Sequence, residues 1–173
     1  MIIRKAMKED VRQIADIYEA IHTEEEKGRT TLGWIRGVYP TEKTALASFE
    51  RDDLFVMEED GQVLGAAIIN QQQVDVYADG QWQDDPPAHE VMVLHTLVIS
   101  PKHALMGYGR QFVRFYEEYA IENGCRYLRM DTNARNLRAR AMYQKLGYRE
   151  AGIVPCVFNG IPGVGLVLLE KRL

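Results

Sequence analysis

A chain of 173 residues, 46% hydrophobic and 27% charged, carries enough apolar material for one core and reads as one domain, 1–173. Its net charge of −4 leaves no basic surface for unspecific nucleic-acid binding. Two cysteines, Cys125 and Cys156, make no disulfide framework; with no long apolar leader and no run near the ~20 apolar residues that span a bilayer, the expected setting is cytoplasmic, without a membrane partner.

Residues 2–4 predict a short strand, and Asp10 is placed to cap a helix in which Val11, Ile14, Tyr18 and Ile21 share one face. A segment with Trp34, Arg36 and Tyr39 follows, then a second helix over 41–51 with Ala45, Leu46 and Phe49 inward. Two apolar runs, 54–57 and 63–69, are joined through Asp60-Gly61, a strong hairpin signal. Residues 71–90 are polar, contain Pro86-Pro87 and Trp82, and form an excursion in which 74–77 is expected as a short added strand. Residues 91–99 are apolar on both parities apart from His95 and Thr96, the pattern of a central strand covered on both faces. A helix over about 108–122 turns Phe112, Phe115, Tyr116 and Tyr119 to one side and Arg114, Glu117 and Glu118 to the other. A strand at 127–131, a helix stopping at Gly147, and strands at 148–152 and 164–169 complete the order.

The segment 97–110 carries the most chemistry. An apolar strand, Leu97-Val98-Ile99, runs into Pro101; a short linker leads to Gly107 and Gly109, and the long helix begins there. The free N–H groups of a helix's first turn point to one place and the helix dipole adds positive potential, so Met106, Gly107, Tyr108 and Gly109 outline an anion site. Neither glycine has a Cβ to hold a bulky ligand away, and Arg110 adds a full charge. A phosphate or pyrophosphate is the natural ligand. No Gly-Lys-Ser/Thr and no triplet of spaced glycines is present, which excludes a P-loop and a dinucleotide fingerprint. The histidines His22, His89, His95 and His103 include no i, i+4 pair, and no metal site is expected.

A second segment, Asn136-x-x-Ala139-x-x-x-Tyr143-x-x-x-Gly147-Tyr148, lies downstream. Together the first and second segments resemble motifs A and B, respectively, of the GCN5-related N-acetyltransferase (GNAT) family, and the likeness extends over nearly the whole chain. It implies an α/β fold: a mixed, mostly antiparallel central sheet of about seven strands, helices on both faces, and a splay between the fourth and fifth strands that admits the pantetheine arm. It implies acetyl-CoA as cosubstrate, with no metal, and transfer of the acetyl group to a primary amine, either a small metabolite or a peptide N-terminus. Where the family usually has Arg or Gln this chain has Ala104, and where it often has Gly this chain has Leu105; Lys102, His103 and Arg110 are the nearby side chains able to supply positive charge instead.

Carried over residue by residue, the resemblance assigns coenzyme contacts to Leu97, Val98, Ile99, Met106, Gly107, Tyr108, Gly109, Arg110, Asn136, Ala139 and Tyr143. Tyr143 is expected to assist the departing thiolate, and main-chain N–H groups around Val98 and Ile99 to meet the oxyanion. Asn136 either contacts the coenzyme or caps its helix, with Asn133 as the rival cap. The general base is open between Glu90, His95 and none, since an α-amino group of pKa ~8 is already partly neutral whereas a lysine amine is not. Trp34, Tyr39 and Trp82 are the candidate acceptor contacts. Asp75, Asp79, Asp84 and Asp85 form either a solvated loop or a lure for a cationic amine. A CoA-binding module without catalysis is the alternative function, and a homodimer is left open.

Overall fold

In the computed structural model, which describes residues 1–173, strand β1 (Ile2–Lys5) leads into helix α1 (Asp10–Glu26). The Arg4 guanidinium donates to Asp10 at 2.6 Å, and Asp10 also accepts the Met7 amide at 2.7 Å. Asp10 is therefore the first residue of the helix, held by the chain before it; Glu9 occupies the cap position. Helix α2 (Glu42–Glu50) opens with a reciprocal Thr41–Thr44 capping box. It buries Ala45 and Ser48, three residues apart on one face, and leaves the expected inward residue Leu46 exposed.

Strands β2 (Leu54–Glu59) and β3 (Gln62–Asn70) join through Asp60 and Gly61 at φ 51° and 79°, the conformation of the expected tight hairpin. The excursion after β3 contains no strand. Residues Asp75–Asp79 form a 3-10 turn, and side chains rather than a ladder hold it: Arg129 donates to Gln73 Oε1 and to the Asp84 carbonyl at 3.0 Å. Strand β4 (Val91–Ile99), helix α3 (Tyr108–Glu122), strand β5 (Tyr127–Asn133) and helix α4 (Leu137–Lys145) follow. Strands β6 (Arg149–Phe158) and β7 (Ile161–Arg172) are longer than their apolar runs suggest. Asn159 and Gly160, at φ 50° and 76°, make the same type of tight turn between them.

The sheet order is β1-β2-β3-β4-β5-β7-β6, with β4 and β5 parallel and every other pair antiparallel. This is the expected mixed seven-strand sheet. Phe112, Val113 and Tyr116 of α3 cover one face through Phe55, Met57, Met92, Leu94, Leu128 and Met130. Val11, Ile14 and Tyr18 of α1 cover the other through Val56, Ala66 and Ile68. Burial of each large apolar side chain contributes about 1.5–3 kcal/mol, so both faces are firmly anchored around the middle strands.

Those strands part at a defined place. Pairing of β4 with β5 ends at Leu94↔Met130, while β5 continues against β7 as far as Asn133↔Leu166. Just below the break, the buried Tyr116 hydroxyl donates to the carbonyls of Met92, at 2.6 Å, and Arg129, at 3.1 Å, tying the two strands together. Just above it, Thr96 takes φ 49° and the register with β3 slips between Ala66 and Ile68. The bulge exchanges the strand's faces: Met92 and Leu94 pack under α3, whereas beyond Thr96 it is Leu97 and Ile99 that do so and Val98 turns toward α1.

Candidate active site

A cleft of about 810 Å³ opens where β4 and β5 diverge. One wall is β4 from His95 to Ile99 with the start of α3; the other is Asp131–Asn133 of β5 with Asn136, Ala139 and Tyr143 at α4, and the loop 30–34 and Tyr39 lie across it.

The α3 end is made of backbone. Gly107 caps the helix at φ 81°, and Leu105 also adopts a left-handed conformation, φ 70°, without being glycine. The first helical amide to find an acceptor is that of Gln111, bonded to the Gly107 carbonyl at 3.1 Å; the N–H groups from Leu105 to Arg110 have no acceptor in the chain. The Leu105 and Met106 side chains point to solvent, 82% and 56% exposed. Arg110, Arg138 and Lys145 line the same cleft and form no salt bridge. Unpaired amides at a helix start beside unpaired cations suit a diphosphate.

Asn136 Oδ1 accepts the Ala139 amide at 3.2 Å, so it caps α4, while its Nδ2 donates to Thr132 Oγ1 at 3.3 Å. Asn133 instead holds the preceding turn, accepting the Arg135 amide at 3.0 Å. Tyr143 is 6% exposed and packs edge-on against Tyr148 with ring centroids 5.9 Å apart. Its hydroxyl bonds to no protein group yet is not sealed from the cleft. Burial, reinforced by the negative charge of Asp131, pushes its pKa above the usual phenol value, and the proton stays on.

His95 reaches the cleft, with Nε2 3.0 Å from Asn70 Oδ1. Burial drives its pKa down to about 4, leaving a neutral ring with little basicity. Glu90 does not line the cleft. It ends the turn Ala88–Glu90 at the other end of β4, about 16 Å of strand from His95, where parallel pairing keeps β4 and β5 closed. Trp34 and Tyr39 do line it, edge to face at 6.1 Å, and the Tyr39 hydroxyl hydrogen-bonds to Thr96 Oγ1. Glu25 secures their loop by accepting from the Leu32 and Gly33 amides at 2.9 and 2.8 Å. Trp82 lies outside the cleft: Arg129 stacks 4.1 Å over its indole, whose N–H donates to the Tyr77 carbonyl at 2.6 Å. Arg36 pairs with Glu19 and Glu26 on the outer surface.

Two residues that sequence reasoning missed meet at the floor: Asp131, which lines the cleft, and Tyr77, buried behind it. Asp131 Oδ2 accepts the Tyr77 hydroxyl at 2.7 Å. Burial pushes the Asp131 carboxyl up to about 6, with the Tyr77 hydrogen bond working in the opposite direction. A carboxylate on the strand face opposite the apolar Leu128 and Met130 was the available signal for Asp131. Tyr77, 54 positions away, had none.

The acetyltransferase (GNAT) family model matches residues 12–148. A search of curated proteins returns no match. Among solved structures, a GNAT-family acetyltransferase from Streptococcus agalactiae superposes with a TM-score of 0.82 at 24% identity, over 99% of this chain and 95% of that one. One from Listeria monocytogenes gives 0.76 at 22%, over 99% and 94%. The yncA acetyltransferase of Salmonella typhimurium, solved with its cofactor acetyl-CoA, gives 0.71 at 20%, over 100% and 94%. These likenesses show the fold, and the family model, spanning most of the chain, shows the kinship. The chain belongs to the GNAT family of acetyltransferases, enzymes that draw their acetyl group from acetyl-CoA.

Proposed function

We propose that this protein moves the acetyl group of acetyl-CoA onto a primary amine, a small metabolite or a peptide N-terminus, by direct attack through a tetrahedral intermediate. The observation that carries the reading is the run of unpaired amides from Leu105 to Arg110, opening into the gap between β4 and β5 with Tyr143 beside it. Bound there, acetyl-CoA supplies an activated thioester. The amides, aided by Arg110, Arg138 and Lys145, grip its phosphates and fix its depth in the gap. The unpaired edge of β4 around Val98 and Ile99 offers N–H groups to the oxyanion. Tyr143 presents a phenol proton to the leaving sulfur, and its raised pKa favours hydrogen bonding over early proton release. Asn136 and Ala139 hold the start of α4 in place for that contact. Both cysteines are free, in keeping with work in a reducing cytoplasm.

Calorimetric titration with acetyl-CoA, followed by thiol release across a panel of primary amines, tests the reading. Saturable binding and turnover of at least one amine are expected. Absence of binding overturns it, and binding without release on any amine leaves a CoA-binding module.

A further inference from the structure

Asp131 is the carboxylate on the cleft floor that has no cation to match it. The other acidic side chain lining the cleft, Glu24, pairs with Arg29 at 3.3 Å, whereas Asp131 forms no salt bridge. The titratable groups around it are Tyr77 from the turn Asp75–Asp79, Tyr39 from the loop before α2, Tyr143 from α4 and Cys156 from β6. All are neutral donors. Only Tyr77 bonds to it, at Oδ2. Oδ1 receives no donor, and it is not among the sealed polar atoms without partners, which are Tyr18 Oη, His22 Nδ1 and His103 Nδ1. It therefore opens to the cleft. Leu128 and Met130 pack beneath α3, so strand alternation turns Asp131 to the opposite face, the side of Trp34 and Tyr39. It is also the first β5 residue beyond the last β4 pair, Leu94↔Met130.

We propose that Asp131 is the acceptor-binding and proton-accepting residue: its free Oδ1 holds the ammonium of the incoming amine where the strands part and takes one of its protons. The inference rests on the acetyl-transfer reading and names its substrate class, a cationic amine. Simple amines have pKa values of about 8–10.4 and arrive charged at neutral pH, and a half-buried carboxylate without a counter-ion gains most from such a ligand. The Trp34 and Tyr39 rings offer cation–π contact on the same side.

The step balances. One ammonium proton passes to Asp131 and on to solvent. The freed nitrogen pair forms the C–N bond as the carbonyl opens. The C–S bond breaks with its pair on sulfur, a second nitrogen proton ends on that sulfur to give the thiol, and the third stays on the product amide. Below about pH 6 a protonated Asp131 neither attracts nor deprotonates the amine. His95, with its pKa near 4, is already neutral across that window, and the surrounding phenols and thiol are displaced upward, Tyr39 to about 12. The acid limb expected of Asp131 is the one near pH 6 that disappears with its carboxyl.

The full chain tests this with an amine that the wild type turns over. Asp131→Asn is expected to lose roughly 10²–10⁴-fold in kcat/KM, to keep its acetyl-CoA Kd within about twofold, and to lose the acid limb. Tyr77→Phe removes a hydrogen bond to the charged form and moves the limb to higher pH. Wild-type kcat/KM in Asp131→Asn, or a limb retained by it, overturns the role of Asp131 while acetyl transfer stands. Should Asp131→Asn fail to fold, a limb unmoved in Tyr77→Phe overturns it equally. A wild-type protein that neither binds acetyl-CoA nor releases thiol removes the transferase reading and this inference with it.

Discussion

On the α3 side of the cleft the unpaired polar groups are consecutive backbone amides, from Leu105 to Arg110, whereas the opposite side is built of side chains drawn from separate parts of the chain: Trp34, Tyr39 and Asp131, the last bonded from behind by the buried Tyr77. A backbone site asks little of residue identity. It needs a helix start and a left-handed approach, and here Leu105 supplies one left-handed residue at φ 70° where glycine would be the easier choice. A side-chain site depends on every residue and on the fold that gathers them. Tyr77 reaches Asp131 because Arg129 and Trp82 fasten the excursion over β5 and β7. Changes that leave one side intact should thus separate coenzyme affinity from catalysis.

The sharpest separation is expected at Tyr143. Tyr143→Phe keeps the ring against Tyr148 and removes only a hydroxyl that has no protein partner, so stability and acetyl-CoA affinity hold. Loss of the donor to the departing sulfur lowers kcat by roughly 10²–10⁴-fold. Steady-state kinetics with a calorimetric Kd measures both, and an unaltered kcat removes Tyr143 from the chemistry.

Asp131 gives the next largest effect, of opposite sign for stability and activity. Its carboxyl rises from an unfolded value of 3.8 to about 6 in the fold, so between those values the native state holds more protons than the unfolded one. Stability from this group is full below the lower value and is lost as pH rises through about 6, a change of about 3 kcal/mol for two pKa units. Asn carries no such penalty and can still accept from Tyr77. Asp131→Asn should therefore melt roughly 6–12 °C above the wild type at neutral pH, with the gap closing toward pH 4. His95, with its pKa lowered, loses stability as pH falls below its unfolded value, but it is common to both proteins and cancels in the difference. Equal melting curves at every pH would show that Asp131 titrates normally.

The contrast between the two sides also explains what the sequence made legible. The strand-proline-glycine-helix run, the Asp60-Gly61 hairpin and the doubly covered β4 are local patterns, and the mixed seven-strand sheet with a splay between its fourth and fifth strands followed from the family resemblance once they were joined to the second motif; the strand order and the exact break after Leu94 came only from the structure. Trp82 and Glu90 look like site residues because an aromatic in a polar loop and a carboxylate at a strand end are locally distinctive. Yet Trp82 is spent on supporting Tyr77, and Glu90 lies at the closed end of the strand pair. The Tyr77–Asp131 contact spans 54 positions and leaves no periodic trace. The length of β6 and β7 was available from Asn159-Gly160, the same turn chemistry as Asp60-Gly61.

The smallest effects divide two glycines that the sequence presents as a pair. Gly107 sits at φ 81° with open space where a Cβ would stand, so an alanine there meets no neighbour but strains the backbone. Gly109 lies inside α3 with no left-handed φ, and its added Cβ would rest 3.6 Å from Met142 Sδ, an ordinary contact. Gly107→Ala is expected to cost about 1–2 kcal/mol of stability and to weaken acetyl-CoA binding by misdirecting the amides. Gly109→Ala should gain about 0.5–1 kcal/mol from helix propensity and leave binding near wild type. Thermal melts and calorimetry on the two variants distinguish a turn requirement from a packing requirement. Equal losses in both would mean that close approach of ligand or side chain, rather than the left-handed cap, is what glycine provides at the head of α3.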